Sequence, residues 1–153
     1  MTTELWQLEA TETARLVRER SVSAVEVTEA HIARIDAVNG KLNAIVVRTD
    51  EHARAQAALV DNGPVTGPLV GVALTTKINT DHVPYAMDNG IAMLKDNMSS
   101  MTHKCIEGLL ADGAVMLGRT NSPSFALRSH TGNDLHGETH NPHGIHLTPG
   151  GSS

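Results

Sequence analysis

Apolar residues recur with a helical period in the first third of the chain. Between Ser23 and Gly40 they return near every 3.6 residues, at Val25, Ile32, Ile35 and Val38. Ser23 and Glu26 have the spacing of a capping box, in which each side chain accepts a hydrogen bond from the other residue's main-chain N–H. Asn39 and Gly40 are typical of a helix end. We therefore predict a helix that begins at Ser23 and ends at Asn39–Gly40.

Two more helices and a change of pattern flank this one. An earlier helix is predicted over Ala10–Arg20, and a third over the alanine-rich segment 49–61, TDEHARAQAALVD. The Gly and Pro residues of Asn62–Pro68, NGPVTGP, predict a loop. The apolar run Leu69–Leu74, LVGVAL, then favours a strand buried on both faces.

The segment THKCIEGLLADGAVMLGRT, residues 102–120, predicts a helix, a turn at Gly113 and a strand over Ala114–Leu117. From Arg119 to Ser153 little is periodic. Because helices alternate with buried strands, the pattern indicates an α/β fold. We divide it into a helical segment over 1–61 and an α/β core over 62–153.

Composition and charge exclude several classes of partner. Twelve Lys and Arg against seventeen Asp and Glu leave a net charge of −5, and no basic stripe is present, so we expect no nucleic-acid partner. No apolar run is long enough to span a membrane, and the start, MTTELWQLEATE, lacks the features of a signal peptide. The single cysteine, Cys105, fits a reducing compartment. We expect a cytoplasmic protein that binds no membrane.

Two segments could carry chemistry. Lys77 follows the predicted strand in GVALTTKINTD. It is either a solvated lysine at a strand end or a lysine whose pKa is lowered by burial so that it acts as a base. The last six residues, 148–153, read TPGGSS. They are either a flexible tail or a tight turn that brings main-chain donors and a hydroxyl to a substrate.

A cluster of histidines raises the alternative of a metal site. It consists of His130, His136, His140, His143 and His146. The spacing of His136 and His140 would suit two ligands on one helix face. However, Gly137, Pro142 and Gly144 interrupt any such helix, and no HExxH arrangement is present. We therefore expect neither a metal nor another cofactor.

The order of these segments resembles the N-terminal part of the amidase signature family. Four segments carry the resemblance: SAVEVTEAHIARIDAVNGKLNAIV, GPLVGVALTTKIN, DGAVMLGRTNSPSFALRSHTGNDLHGETHNP and TPGGSS. The resemblance implies N-terminal helices followed by the first part of a mixed sheet covered by helices. It also implies an amidase, which hydrolyses the carbon–nitrogen bond of a small-molecule amide substrate.

The resemblance also assigns roles in a Ser–cis-Ser–Lys triad. Lys77 matches the catalytic lysine, and Ser152 matches the bridging serine, which follows a cis peptide bond. Gly150, Gly151 and Ser153 match the supporting loop. Ile78 departs from the family pattern, since many members have Asp at that position.

In the family, the nucleophilic serine and the oxyanion hole lie farther along the chain than Ser153. We therefore expect an N-terminal fragment that is inactive by itself. Two other functions stay open at this point: a non-catalytic interaction protein on the same scaffold, and a His-rich metal-binding protein. The sequence identifies neither the amide substrate nor the oligomeric state.

Overall fold

The computed structural model describes residues 4–63 and 67–151, and it confirms an α/β fold that begins with helices. Three of the predicted helices and the strand after Gly113 lie where the sequence placed them, to within three residues. The helices are α1 (Ala10–Arg18), α2 (Ala24–Leu42), α3 (Asp50–Asn62) and α4 (Lys104–Ala111), and the strands are β1 (Ile45–Arg48), β2 (Ala73–Lys77), β3 (Val115–Thr120), β4 (Gly132–Asn133) and β5 (Gly137–Glu138).

The predicted capping box begins α2. Glu26 N–H donates to Ser23 Oγ at 3.1 Å, and Ser23 N–H donates to Glu26 Oε2 at 2.9 Å. The predicted end of this helix is wrong by two residues, because α2 continues through Gly40 to Leu42. Asn39 accepts hydrogen bonds from the N–H groups of Ala44 and Ile45 through Oδ1, so its side chain supplies the acceptor for two main-chain donors beyond the helix end.

The predicted strand at Leu69–Leu74 is also displaced. Residues 69–71 form a turn, in which Val72 N–H donates to the Leu69 carbonyl at 2.9 Å, and the strand β2 begins only at Ala73. The strand is half-buried rather than buried on both faces, and Thr75 is exposed. Lys77 is therefore the last residue of β2 and does not follow the strand.

Helix α4, the turn at Gly113 and strand β3 confirm the prediction for residues 102–120. Gly113 has φ +91°, and residues 115–119 of β3 are all buried. The sheet order is β1-β3-β2. Val115 N–H donates to the Val72 carbonyl and Ile78 N–H to the Thr120 carbonyl, which makes β2 and β3 parallel.

Strand β1 runs the other way. Asn121 N–H donates to the Ala44 carbonyl, and Thr49 Oγ1 donates to the Met116 carbonyl at 2.8 Å. The start of β1 therefore lies beside the end of β3, and the end of β1 lies beside the start of β3. The two strands are antiparallel, and the sheet is mixed. Beyond β3, the short strands β4 and β5 pair antiparallel.

The chain divides into two compact units. The first comprises Met1–Ala37, Thr49–Thr75 and Glu107–Gly118, and the second comprises Val38–Arg48, Thr76–Ile106 and Arg119–Ser153. The division at residues 61 and 62 stays a prediction. Within the described ranges, no helix is both long enough and apolar enough to cross a membrane.

The first unit has an apolar interior. Its buried side chains are mainly aliphatic and come from α1, α2, α3 and β3: Ala14, Val17, Val27, Ile32, Ile35, Ala53, Ala57, Val115, Met116 and Leu117. Asp61 caps the N-terminus of α2, because its carboxylate accepts hydrogen bonds from Ala24 N–H at 2.8 Å and Val25 N–H at 3.1 Å. These contacts satisfy helix donors that have no partner within the helix.

The second unit buries polar groups. His82, Asp88, Arg119, Asn121 and Ser122 are each at most 5% exposed. Such groups are stable inside a protein only when hydrogen bonds replace their contacts with water. The hydrogen bonds of this unit therefore determine how its loops are held.

Candidate active site

Lys77 lies at the C-terminal end of β2 and is half-buried. Burial lowers the pKa of Lys77 below its ordinary value of 10.5, because the ammonium form loses water contacts. The Lys77 carbonyl accepts from Arg119 Nη2 at 3.1 Å and from Thr80 N–H at 3.1 Å. Ile78 N–H donates to the Thr120 carbonyl at 3.1 Å. The peptide group that follows Lys77 is therefore held at both its oxygen and its nitrogen.

Arg119 connects strand β3 to the turn after Lys77. It is fully buried near the end of β3, and its guanidinium donates to the carbonyls of Thr80, at 2.5 Å, and Ala86 as well as to that of Lys77. The guanidinium carbon lies 5.9 Å from the centre of the Tyr85 ring, within the range of a cation–π contact. One side chain thus joins three main-chain positions between residues 77 and 86.

Burial lowers the pKa of Arg119, and the charges of Asp88 and Asp81 act in the opposite direction. Because an unperturbed guanidinium titrates far above neutral pH, Arg119 stays charged. Its hydrogen bonds to carbonyl oxygens are therefore charge-assisted, and such bonds are stronger than those between neutral groups.

The buried Asp88 and the part-buried His136 form a second contact in this unit. His136 Nε2 lies 3.0 Å from Asp88 Oδ2, while Asp88 Oδ1 accepts from Gly90 N–H at 2.7 Å. His136 is one of the five clustered histidines, but its ring faces a carboxylate rather than the other histidines of that cluster. The pair joins the segment after Lys77 to the loop between β4 and β5.

Asn121 and Asn133 join the same loop to the end of β3. Asn133 Nδ2 donates to Asn121 Oδ1 at 2.7 Å and to the Ser122 carbonyl at 2.8 Å. Asn121 Nδ2 donates to the Gly137 carbonyl at 3.0 Å. These amides hold an aperiodic segment in a defined conformation without a continuous sheet or helix.

The glycine turn before Ser152 is held from two sides. Thr131 Oγ1 donates to the Gly150 carbonyl at 2.7 Å, and Gly150 has φ +90°, which side chains rarely allow. A Cβ atom on Gly151 would lie 3.2 Å from the Arg128 carbonyl oxygen and from Pro123 Cγ, so this glycine is closely packed and a side chain would require its neighbours to shift by a few tenths of an ångström. Ser152, Ser153 and the predicted cis bond lie outside the described residues.

Three of the remaining clustered histidines line a pocket. His130, His140 and His146 surround a cavity of about 260 Å³ together with Glu138. His140 Nδ1 lies 2.9 Å from the Ile145 carbonyl. Among the residues that the structure describes, no three His, Cys, Asp or Glu side chains are placed to hold a metal ion.

The sequence patterns did not reveal Arg119 and Asp88. Arg119 ends the apolar run AVMLG, and a charged residue directly after a buried strand was the one available signal. Asp88 lies in an aperiodic segment and gave no signal of its own. Their importance depends on partners at residues 77–90 and 136, which only the folded chain brings together.

Comparison with known families agrees with the fold. The model of the amidase family matches residues 26–153. The structure is similar to that of a bacterial aryl acylamidase of the amidase signature family, with a TM-score of 0.92, 29% identity, and coverage of 99% of this chain and 32% of that chain. The chain belongs to the amidase family.

Two curated relatives are identical to this chain at a similar share of positions. The chain is 39% identical to an indoleacetamide hydrolase of Bradyrhizobium diazoefficiens over 153 residues, which cover 97% of this chain and 29% of that protein. It is 37% identical to an acylamidase of Rhodococcus erythropolis over 152 residues, which cover 95% of this chain and 31% of that protein. The chain therefore spans about three-tenths of the length of these relatives.

Proposed function

We propose that this chain supplies the base and the proton relay of an amide hydrolase. Lys77 is the base, Ser152 is the bridging serine, and Gly150, Gly151 and Ser153 form the supporting turn. The observation that carries the proposal is Lys77 itself, which is half-buried at the end of β2, with the oxygen and the nitrogen of the peptide group that follows it both hydrogen-bonded. A lysine in such a setting loses its proton more readily than a solvated one.

The proposed reaction is acyl transfer to a serine. Neutral Lys77 accepts a proton through the Ser152 hydroxyl from the nucleophilic serine, whose oxygen forms a bond to the amide carbonyl carbon. The same relay returns the proton to the departing amine as the carbon–nitrogen bond breaks. Water then hydrolyses the acyl ester and restores the serine.

The nucleophile of this proposal is not among residues 1–153. Residues 1–153 by themselves are therefore expected to be inactive toward amides. Main-chain donors that stabilise the developing oxyanion can contribute about 10²–10³ in rate, and they too would come from outside these residues.

The first test uses the protein as its gene encodes it. Release of ammonia from indoleacetamide, and of the aromatic amine from an aryl amide, is measured with the Lys77→Ala variant beside the unchanged protein. We expect a loss of at least about 10²-fold in kcat, since general base catalysis contributes about 10²–10⁴-fold. Lys95→Ala is the matched control, because the Lys95 side chain is 64% exposed. Equal activity of Lys77→Ala and Lys95→Ala would overturn the assignment.

A chimera gives the same test in a defined background. Residues 1–153 replace the matching segment of the Bradyrhizobium indoleacetamide hydrolase, and the rest of that enzyme would supply the nucleophile on this proposal. The expected result is hydrolysis that rises with pH as Lys77 loses its proton, with the midpoint below the ordinary 10.5. A folded chimera without hydrolysis would contradict the proposed function.

A further inference from the structure

A single cation binds the segment after β2 at three main-chain carbonyls. Residues 77–86 contain a tight turn, in which Thr80 N–H donates to the Lys77 carbonyl at 3.1 Å, followed by a segment that contains the Val83–Pro84 peptide. Neither a helix nor a strand organises residues 78–86. The carbonyls of Lys77, Thr80 and Ala86 instead converge on the guanidinium of Arg119.

The chemistry of the guanidinium suits this arrangement. Its planar fork presents several N–H donors in fixed directions, whereas the ammonium of lysine is a single point of charge. Nη1 donates to Ala86 and Nη2 to Lys77 and Thr80, so two nitrogens of one plane serve three carbonyls. A carbonyl that loses such a donor inside the protein is left unsatisfied, which favours rearrangement of the main chain.

The main chain of Lys77 is fixed from two adjacent residues of β3. Arg119 binds the Lys77 carbonyl, and the Thr120 carbonyl accepts from Ile78 N–H at 3.1 Å. The side chain of Ile78, the residue after Lys77, is completely buried.

We propose that Arg119 is a positioning residue for Lys77: it fixes residues 77–86 so that the lysine amine keeps one partly buried setting at the end of β2. This inference rests on the proposed role of Lys77 as the base. Arg119 itself is not proposed as a catalytic residue, because it is fully buried and both of its Nη atoms donate to main-chain carbonyls. The charged groups that act on it, Asp81, Asp88 and the Tyr85 hydroxyl, are unchanged in the variants described below.

The test compares Arg119→Lys with Arg119→Gln in the protein as its gene encodes it. Lysine keeps the charge and glutamine keeps a planar amide, but neither offers the two-nitrogen fork to three carbonyls. Met116→Leu is the matched control. It changes another buried side chain of β3 while conserving volume, at an expected cost below about 1.5 kcal/mol.

The first readout does not need activity. The lysines are ¹³C-methylated, and their pKa values are followed by NMR, with Lys41, Lys95 and Lys104 as internal references. In Arg119→Lys the loop opens to water, so we expect the pKa of Lys77 to rise toward its ordinary value while the references stay unchanged. Amide hydrogen exchange at Thr80 is expected to accelerate in the same variant.

The second readout is kinetic. We expect kcat to fall about 10²-fold, as for a base that is misplaced by a fraction of a bond length. Because Arg119 is fully buried, we expect no contact with substrate, and KM should stay within about twofold. The alkaline rise of the pH profile should move to higher pH in Arg119→Lys and stay in place in Met116→Leu.

The outcomes separate the two proposals. An unchanged Lys77 pKa and an unchanged pH profile in a folded Arg119→Lys protein overturn the positioning role. So does loss of folding in both Arg119 variants, which would make the residue structural alone. If the unchanged protein hydrolyses no amide, the proposed function fails, and the Lys77 pKa in Arg119→Lys still decides whether Arg119 positions that residue.

Discussion

The two units of this chain are held by different forces. The interior of the first unit is made of aliphatic side chains from amphipathic helices and β3, such as Val27, Ile32 and Val115. The interior of the second unit contains Arg119 and Asp88, both nearly inaccessible to water. Apolar burial is non-directional, whereas each buried polar group needs a partner at a particular distance and angle.

This difference has a consequence for function. The residues proposed for chemistry, Lys77 and the turn at Gly150–Gly151, belong to the polar unit. A loop that is fixed by directional hydrogen bonds can place a catalytic side chain accurately without regular secondary structure. We therefore expect the polar unit to depend on the accurate placement of single polar groups and the apolar unit to depend on the volume that it buries.

The largest effect on stability is expected for Asp88→Ala. The substitution removes the partner of His136 and the acceptor of Gly90 N–H, and it leaves the buried Arg119 charge less compensated. Each buried group that is left unsatisfied costs about 1–3 kcal/mol in free energy of unfolding, and more where the group is charged. Chemical denaturation measures the loss. Asp96→Ala is the control, since that side chain is 88% exposed and should change stability by at most about 0.5 kcal/mol.

Equal stabilities of the Asp88→Ala and Asp96→Ala proteins would contradict the difference that we infer between the two units. The second unit would then be stabilised by something other than its buried polar contacts. A loss of the expected size would instead identify Asp88 as a main support of the segment after Lys77.

Ile32→Ala tests the apolar unit. Ile32 lies on the inner face of α2 and is 4% exposed, so its truncation removes apolar contacts and leaves a cavity. The expected cost is about 2–5 kcal/mol. The same denaturation experiment measures it, with Leu59→Ala as the control because Leu59 is 74% exposed. A cost no greater than that of the Leu59 variant would show that α2 contributes little to the core.

A smaller effect is expected at the start of α2. Ser23→Ala removes the acceptor of Glu26 N–H and the hydroxyl that donates to Glu26 Oε2 at 2.7 Å. Loss of such a cap costs typically about 1 kcal/mol. Thermal unfolding of Ser23→Ala and of the exposed control Ser100→Ala should differ by that amount. Indistinguishable melting curves would mean that the Asp61 carboxylate alone caps the helix.

The smallest effect concerns pH and His31 on α2. Burial lowers the pKa of His31 below its ordinary value of 6.5. The unfolded chain therefore binds protons more readily than the folded chain below pH 6.5, and stability falls as pH decreases through that range. In His31→Gln this contribution disappears, so the free energy of unfolding should depend less on pH than in the unchanged protein. Parallel pH profiles of the two proteins would contradict the prediction.

The sequence was most informative where one physical signal dominates. The capping box of Ser23 and Glu26 and the helical stripe of α2 located that helix, because cap spacing and period are local properties. It was least informative where signals compete. The run LVGVAL is apolar throughout, so it contains no alternation to show where extended backbone begins. The turn at residues 69–71 is stabilised by Leu69 N–H and Gly71 N–H, which donate to the carbonyls of Asp112 and Gly113 from another part of the chain.

By itself the sequence determined the helices of the first unit, the α/β class, the family resemblance and the candidate lysine. Each of these depends on residue types at short separations along the chain. Only the tertiary structure decided that Arg119 is buried and bonded to the carbonyls of Lys77, Thr80 and Ala86. An arginine is ordinarily solvated, and the partners of Arg119 are main-chain oxygens, which every residue possesses. No pattern of side chains can therefore reveal them, because they come together only when the chain is folded.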